Sequence, residues 1–150
     1  YIMKILLLEN IRSMQNVWAL FRNCDGAGFE KIFLTGHTPF PPRNDIAKTA
    51  LWSEKTIDWE YFQDVESCIS DLKKSWYQIY SIELAKDAID YKELIWNTPK
   101  DVVFVLWNEV TWVSKKTLEI SNKIVMIPML WKKESLNVSV AWGIAMYATV

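Results

Sequence analysis

The chain has 150 residues, 51% of them hydrophobic, with 17 basic residues against 18 acidic ones and a net charge of −1. That balance fits one folded domain with a sizeable core, residues 1–150, and excludes a disordered chain. It also excludes strong nucleic-acid binding through net charge alone, so any RNA must be met by a local basic patch or one assembled by dimerisation.

The chain opens on Tyr1 to Leu8, an apolar stretch closed by Glu9, Asn10 and Arg12. It is too short for a membrane span of roughly 20 residues and reads as a strand, with Ile5–Leu8 at its centre. An opening directly on strand residues leaves room for a segment before it. Asn16 is the expected cap of a helix through Val17, Leu20, Phe21 and Cys24, ending near Gly26 and Gly28. Lys31–Thr35 follows as a strand. The loop from Gly36 to Arg43 carries three prolines and cannot be helix interior. A short helix is expected around Ile46–Leu51.

Ile57–Phe62 is a brief aromatic extended stretch. Asp64 should cap a helix whose apolar positions are Val65, Cys68, Ile69 and Leu72. Tyr77–Ile82 reads as a strand and Ala88–Trp96 as ambiguous, with one helical turn at most. Val102–Leu106 is the clearest buried strand, five apolar residues with three valines. Ser114 should cap a helix through Leu118. Lys123–Ile127 is the last strand, and Asn137 to Val150 a final helix apolar on most faces, which makes it a candidate dimer interface together with the helix from Asn16.

Strand and helix alternate, so the expected class is α/β with a mainly parallel sheet and helices on both faces. Such sheets bind ligands at the carboxyl ends of their strands. Polar residues gather there late in the chain, at Asn108-Glu109 and at Lys132 to Ser135. No glycine-rich dinucleotide fingerprint and no P-loop is present. The single histidine, His37, argues against a zinc site or a Ser-His-Asp triad, and no metal is expected. Cys24 and Cys68 make no motif together and read as reduced thiols of a cytoplasmic protein, with a chance disulfide between them as the alternative.

Three segments go further. They are Asn16 to Arg22, Leu106 to Ser114, and Ile127 to Ala141. In order and separation they resemble the three motifs of the SpoU/TrmH branch of the SPOUT methyltransferases, which transfer a methyl group from S-adenosylmethionine to a ribose 2′-OH of RNA. The resemblance runs over nearly the whole chain. It implies a parallel sheet whose last segments form a C-terminal deep trefoil knot, a feature nearly absent from proteins at large. It implies a cytoplasmic homodimer acting on tRNA or rRNA. The lack of a clear extra RNA-binding domain favours tRNA as the expectation, and no membrane or metal partner is expected.

By position, the resemblance puts the cofactor against Ile82, Leu106, Trp107, Ile127, Met129 and Leu136. It gives functional positions to Arg22, Glu109, Ser135 and Asn137, and RNA contacts to Arg22, Arg43 and Lys132. Without it, Glu109 reads as a helix-start acid, Ser135 as a turn residue and Asn137 as an N-cap. The family assigns Arg22 as the base. A guanidinium stays protonated in nearly every protein setting, so holding the phosphate beside the ribose and stabilising the developing alkoxide is the alternative.

The pattern departs from the family in one consistent way. Trp18, Trp107, Trp112 and Trp131 stand where the family has glycine, and Trp52 and Trp76 where relatives commonly have it. The chain holds 9 tryptophans and 4 glycines, against roughly 10 glycines for an average chain of this length. Two readings are open. Either the source reads UGA as glycine, or the tryptophans are natural and the chain is an inactive RNA-binding or dimerisation module. Tryptophan at 107 is expected to crowd the cofactor and strain the backbone.

Overall fold

The computed structural model describes residues 3–41, 53–108, 115–130, 132 and 134–150. Seven strands form one parallel sheet: β1 (Met3–Glu9), β2 (Lys31–Thr35), β3 (Asp58–Phe62), β4 (Gln78–Ile82), β5 (Ile89–Asp90), β6 (Asp101–Trp107) and β7 (Lys123–Met126). Their order is β3-β2-β1-β6-β4-β7-β5. The central pair is β1 with β6, in register from Met3 opposite Asp101 to Glu9 opposite Trp107. These two strands are the most continuously apolar, as strands covered on both faces must be.

Alternation along the strands builds two cores. Leu6, Leu8, Phe104 and Leu106 face one side, where α1 (Met14–Gly26) and the C-terminal helix Val138–Tyr147 cover them. Ile5, Leu7, Val103, Val105 and Trp107 face the other, against the helix Val65–Lys74. Those helices are α6 and α3 in chain order. Helix α2 (Ser53–Thr56) precedes α3, and α4 (Leu94–Asn97) and α5 (Lys115–Ile120) lie between α3 and α6. The α/β class, the parallel sheet and the helices on both faces are as expected. Among the described residues no helix is long and apolar enough to cross a membrane.

Several local expectations are corrected. The cap of α1 is Ser13, whose Oγ accepts from the Asn16 N–H at 3.2 Å, so Asn16 sits inside the first turn. The final helix stops at Tyr147, where Ala148 and Thr149 turn back onto Ala145 and Met146 carbonyls. The ambiguous stretch Ala88–Trp96 divides into β5, a 3₁₀ turn over Tyr91–Glu93 and α4. Asp64 and Asn137 cap α3 and α6 as expected. The helix expected around Ile46–Leu51 and the cap at Ser114 lie outside the described residues.

Helix α3 ends in a Schellman motif. The Trp76 N–H donates to the Lys73 carbonyl and the Tyr77 N–H to the Leu72 carbonyl. Trp76 thereby takes the left-handed position, at φ 69°, with its side chain 88% exposed. Glycine is the residue that this position favours. The opposite situation holds at Trp18. Its indole is fully buried in α1, stacked on Phe21 at 5.0 Å, and its N–H has no hydrogen-bond partner.

Candidate functional site

The parallel strands all end on one edge of the sheet. There β4, β6 and β7 lie side by side, and the chain beyond each leaves the sheet. A cavity of about 350 Å³ opens between these ends and the start of α6, within the size range of small-molecule sites. Ile82 and Leu106 come from the carboxyl ends of β4 and β6, Ile127, Met129 and Leu136 from the segment after β7, and Val138 and Ala141 from α6. All six residues that the resemblance assigned to the cofactor line this one cavity: Ile82, Leu106, Trp107, Ile127, Met129 and Leu136.

The polar part of the lining is Glu83, Asn108, Glu134 and Ser135. Glu83 follows directly on β4, and its backbone N–H is tied to the Val125 carbonyl of β7 at 2.9 Å. Its carboxylate accepts from the Trp107 indole N–H at 2.8 Å. Burial pushes the Glu83 carboxyl above its usual range, against the lowering effect of its bonds from the Leu84 N–H and the Trp107 indole. Sequence reading missed Glu83, although an acid placed just past a strand's carboxyl end was a signal for it.

Trp107 does not fill the cavity. It continues β6, opposite Glu9, and its side chain packs with Ile5, Leu7 and Val105 on the α3 side of the sheet. Among the described residues only Asn10 and Trp76 carry positive φ outside glycine, so the strain expected at Trp107 is not found. A strand residue needs only extended φ and ψ, which tryptophan adopts freely. Trp112 and Trp131 lie outside the described residues.

Ser135 lines the cavity, and Asn137 stands at its margin. Asn137 Oδ1 accepts from the Ser139 N–H at 2.9 Å, capping α6, while its Nδ2 donates to Asn16 Oδ1 of α1 at 3.2 Å. A second bond, Asn23 Nδ2 to the Ser139 carbonyl at 3.1 Å, pins the same two helices. Arg22 is exposed on α1 and does not border the cavity. Lys132 is exposed in the segment after β7. Glu109 and Arg43 lie outside the described residues. Cys24 and Cys68 are free and buried on opposite faces of the sheet, each thiol pushed up to about 12 chiefly by burial.

The model of the SpoU rRNA Methylase family matches residues 3–147. The chain belongs to that family. As a SpoU family member it is 30% identical over 142 residues to a tRNA (guanosine(18)-2′-O)-methyltransferase of Thermus thermophilus, covering 95% of this chain and 71% of that protein. It is 29% identical over 146 residues to the enzyme of the same name from Aquifex aeolicus, covering 95% of this chain and 66% of that one. The crystal structure of the A. aeolicus TrmH/SpoU tRNA modifying enzyme matches with a TM-score of 0.85 and 28% identity, over 97% of this chain and 73% of that one. This SpoU chain thus spans about two thirds of the length of these relatives.

Proposed function

We propose that this protein methylates a ribose 2′-OH in RNA with S-adenosylmethionine as methyl donor, and that tRNA is the substrate. The observation that carries the reading is the convergence of all six resemblance-assigned residues on one cavity at the carboxyl edge of the sheet. The tRNA specificity rests on the names of the two relatives.

The lining fits the donor. Ile82, Leu106, Ile127 and Leu136 supply apolar surface for an adenine ring, and Ser135, Asn108 and Glu83 supply polar groups at the rim. S-adenosylmethionine brings an electrophilic methyl group on a sulfonium. The Arg22 guanidinium holds the phosphate beside the reacting ribose and stabilises negative charge developing on the 2′-oxygen as the hydroxyl proton passes to solvent water. Asn137 positions the cavity loop against the helix that carries Arg22. By the resemblance, Glu109 is a functional position, and Arg43 and Lys132 meet RNA phosphates.

The same reading includes a C-terminal trefoil knot, made where the segment after β7 turns back to line the cavity, and a homodimer. Exposed Val140, Ile144 and Tyr147 form a stripe on α6, spaced as one helix face, which supports dimerisation through that helix. The buried, unpaired thiols suit a cytoplasmic setting.

The test is transfer of labelled methyl from S-adenosylmethionine to total tRNA, followed by mapping of the label. It is run on the chain as it stands and on a form with glycine at 18, 52, 76, 107, 112 and 131. A 2′-O-methylated nucleotide from either form is the expected result. Label on a base, or no transfer by both forms, overturns the proposal.

A further inference from the structure

A second cavity, of about 410 Å³, opens at the same carboxyl edge of the sheet, beyond the ends of β1 and β2. Among the described residues its walls come from Arg12 and Met14 after β1, and from Gly36 to Pro41 after β2. None of these residues borders the first cavity.

The walls are built rather than incidental. Asn10 holds a left-handed backbone, φ 53°, and its Oδ1 accepts from the His37 N–H at 3.0 Å. Gly36 is left-handed too, at φ 61°, and a Cβ on it would collide with Asn10 Oδ1. The Ile11 N–H donates to Thr38 Oγ1 at 3.0 Å, and that hydroxyl donates to the Leu8 carbonyl at 3.1 Å. The Tyr61 hydroxyl donates to the Gly36 carbonyl at 2.8 Å. Three separate stretches of chain are therefore locked together before any ligand arrives. A non-glycine residue persists at positive φ where its surroundings over-determine it, and such places cluster at ligand clamps.

The groups around the cavity share one chemistry. Phe40 is 40% exposed, and its ring is backed by Tyr61 at 4.4 Å and Trp59 at 6.2 Å between centroids. A backed, half-open aromatic ring is a stacking platform for a nucleobase. Arg12 and His37 are exposed beside it, and among the described residues Arg12 forms no ion pair. A guanidinium next to a stacking platform suits the phosphate of the stacked nucleotide. In the sheet order, β2 and β6 flank β1. At roughly 4.8 Å per strand spacing, the end of β2 lies on the order of 10 Å from that of β6, a gap that a few nucleotides of RNA can cross.

We infer that this cavity is an RNA subsite. It takes a nucleotide flanking the methylated one, with the base on Phe40 and its phosphate on Arg12. The inference rests on the proposed RNA methyltransferase function and adds a second point of substrate recognition to it.

The test is RNA binding by the full chain, followed by fluorescence anisotropy with labelled tRNA, alongside calorimetry with S-adenosylmethionine. Phe40→Ala should weaken tRNA binding roughly tenfold or more. Arg12→Ala, an exposed substitution that spares the fold, should weaken it and lower the salt slope by about one. Lys74→Gln, at the opposite edge of the sheet, should leave it unchanged. Neither cavity variant should alter cofactor affinity. Ultraviolet crosslinks to tRNA should map to residues 36–41. The inference is overturned if tRNA binds the parent and both cavity variants alike, an outcome that leaves the methyltransferase reading standing. It is also overturned if adenosine or guanosine 5′-monophosphate binds more tightly than tRNA, which would mark a metabolite site. If the parent binds no tRNA, both the inference and the choice of tRNA fall together.

Discussion

Asn137 Nδ2 donates to Asn16 Oδ1 at 3.2 Å, across 121 residues of sequence. The same Asn137 side chain caps α6 through the Ser139 N–H. One residue thus joins the helix that closes the cavity to the helix that bears Arg22. The two roles are separable. Asn137→Asp keeps an acceptor for the cap and loses the donor to Asn16, so stability should hold while methyl transfer falls. Asn137→Ala should lose both, with a stability cost of about 1 kcal/mol. Thermal melts read beside transfer rates check this. An Asp variant as active as the parent would show that the cross-helix bond plays no part.

Arg22 stands on α1 away from the cavity lining. Arg22→Ala should therefore leave the affinity for S-adenosylmethionine within error of the parent. Methyl transfer should drop about a hundredfold or more, the scale of removing one donor from a developing oxyanion. Loss of cofactor binding together with activity, measured by calorimetry, would contradict the assigned role.

Glycine restoration should act with opposite signs at two tryptophans. At Trp76 the left-handed backbone and the exposed indole mean that Trp76→Gly relieves strain of about 1 kcal/mol. That gain should raise the melting temperature by about 2–4 °C. Trp76→Ala, which keeps a Cβ, should give no such gain. At Trp18 the indole fills the space against Phe21, and Trp18→Gly should destabilise by about 3–5 kcal/mol as a cavity opens. Calorimetric melts of the single variants test both signs. A destabilised Trp76→Gly would refute the first.

The indole of Trp107 holds the Glu83 carboxylate at the cavity wall. Trp107→Gly should remove that bond and open space on the α3 side of the sheet, where the indole packs with Ile5, Leu7 and Val105. Because the indole does not fill the cavity, the variant should lose about 3–5 kcal/mol of stability without a gain in affinity for S-adenosylmethionine. A tighter-binding variant by calorimetry would show that the indole does crowd the ligand.

Glu9 is 5% exposed at the end of β1, and burial raises its carboxyl above the usual range, opposed by a bond from Thr117 Oγ1 at 3.2 Å. A carboxyl raised on folding favours the folded state when protonated. That stability is full below the unfolded value of about 4.3 and is lost as pH rises through the folded value. Glu9→Gln should therefore be more stable than the parent at pH 8, with the advantage shrinking as pH falls towards 4. Melting temperatures of the two proteins across that range check the sign. A gap that widens in acid would refute it.

Much of this architecture was legible because local patterns decide it. Lys31–Thr35 and Val102–Leu106 announce buried strands through continuous β-branched and apolar runs. Asp64 and Asn137 announce helix starts because a cap is a contact within four residues. The short strand Ile89–Asp90 was not legible, since its pairing with β7 at Val125 and Met126 is non-local. Nor was the cap at Ser13 distinguished from Asn16, two residues equally able to cap. Motif resemblance groups six residues that line the first cavity, but Glu83 and the second cavity were not legible. The place of Glu83 depends on which strand lies beside β6, and the second cavity on a clamp between Asn10, Gly36 and Tyr61 that spans a third of the chain.

The pairing of β1 with β6 also sets a schedule for the growing polypeptide. Met3 lies opposite Asp101, so the inner edge of β1 has no partner until roughly 100 residues have been made. At about 5–20 residues per second that interval is on the order of 5–20 s. Throughout it the nascent β1–β2–β3 half exposes an apolar, unpaired strand edge, the kind of template on which chains stick to one another. Its folding should then hinge on the late arrival of β6, and shielding of that edge at the ribosome should govern how much of the protein reaches its native state.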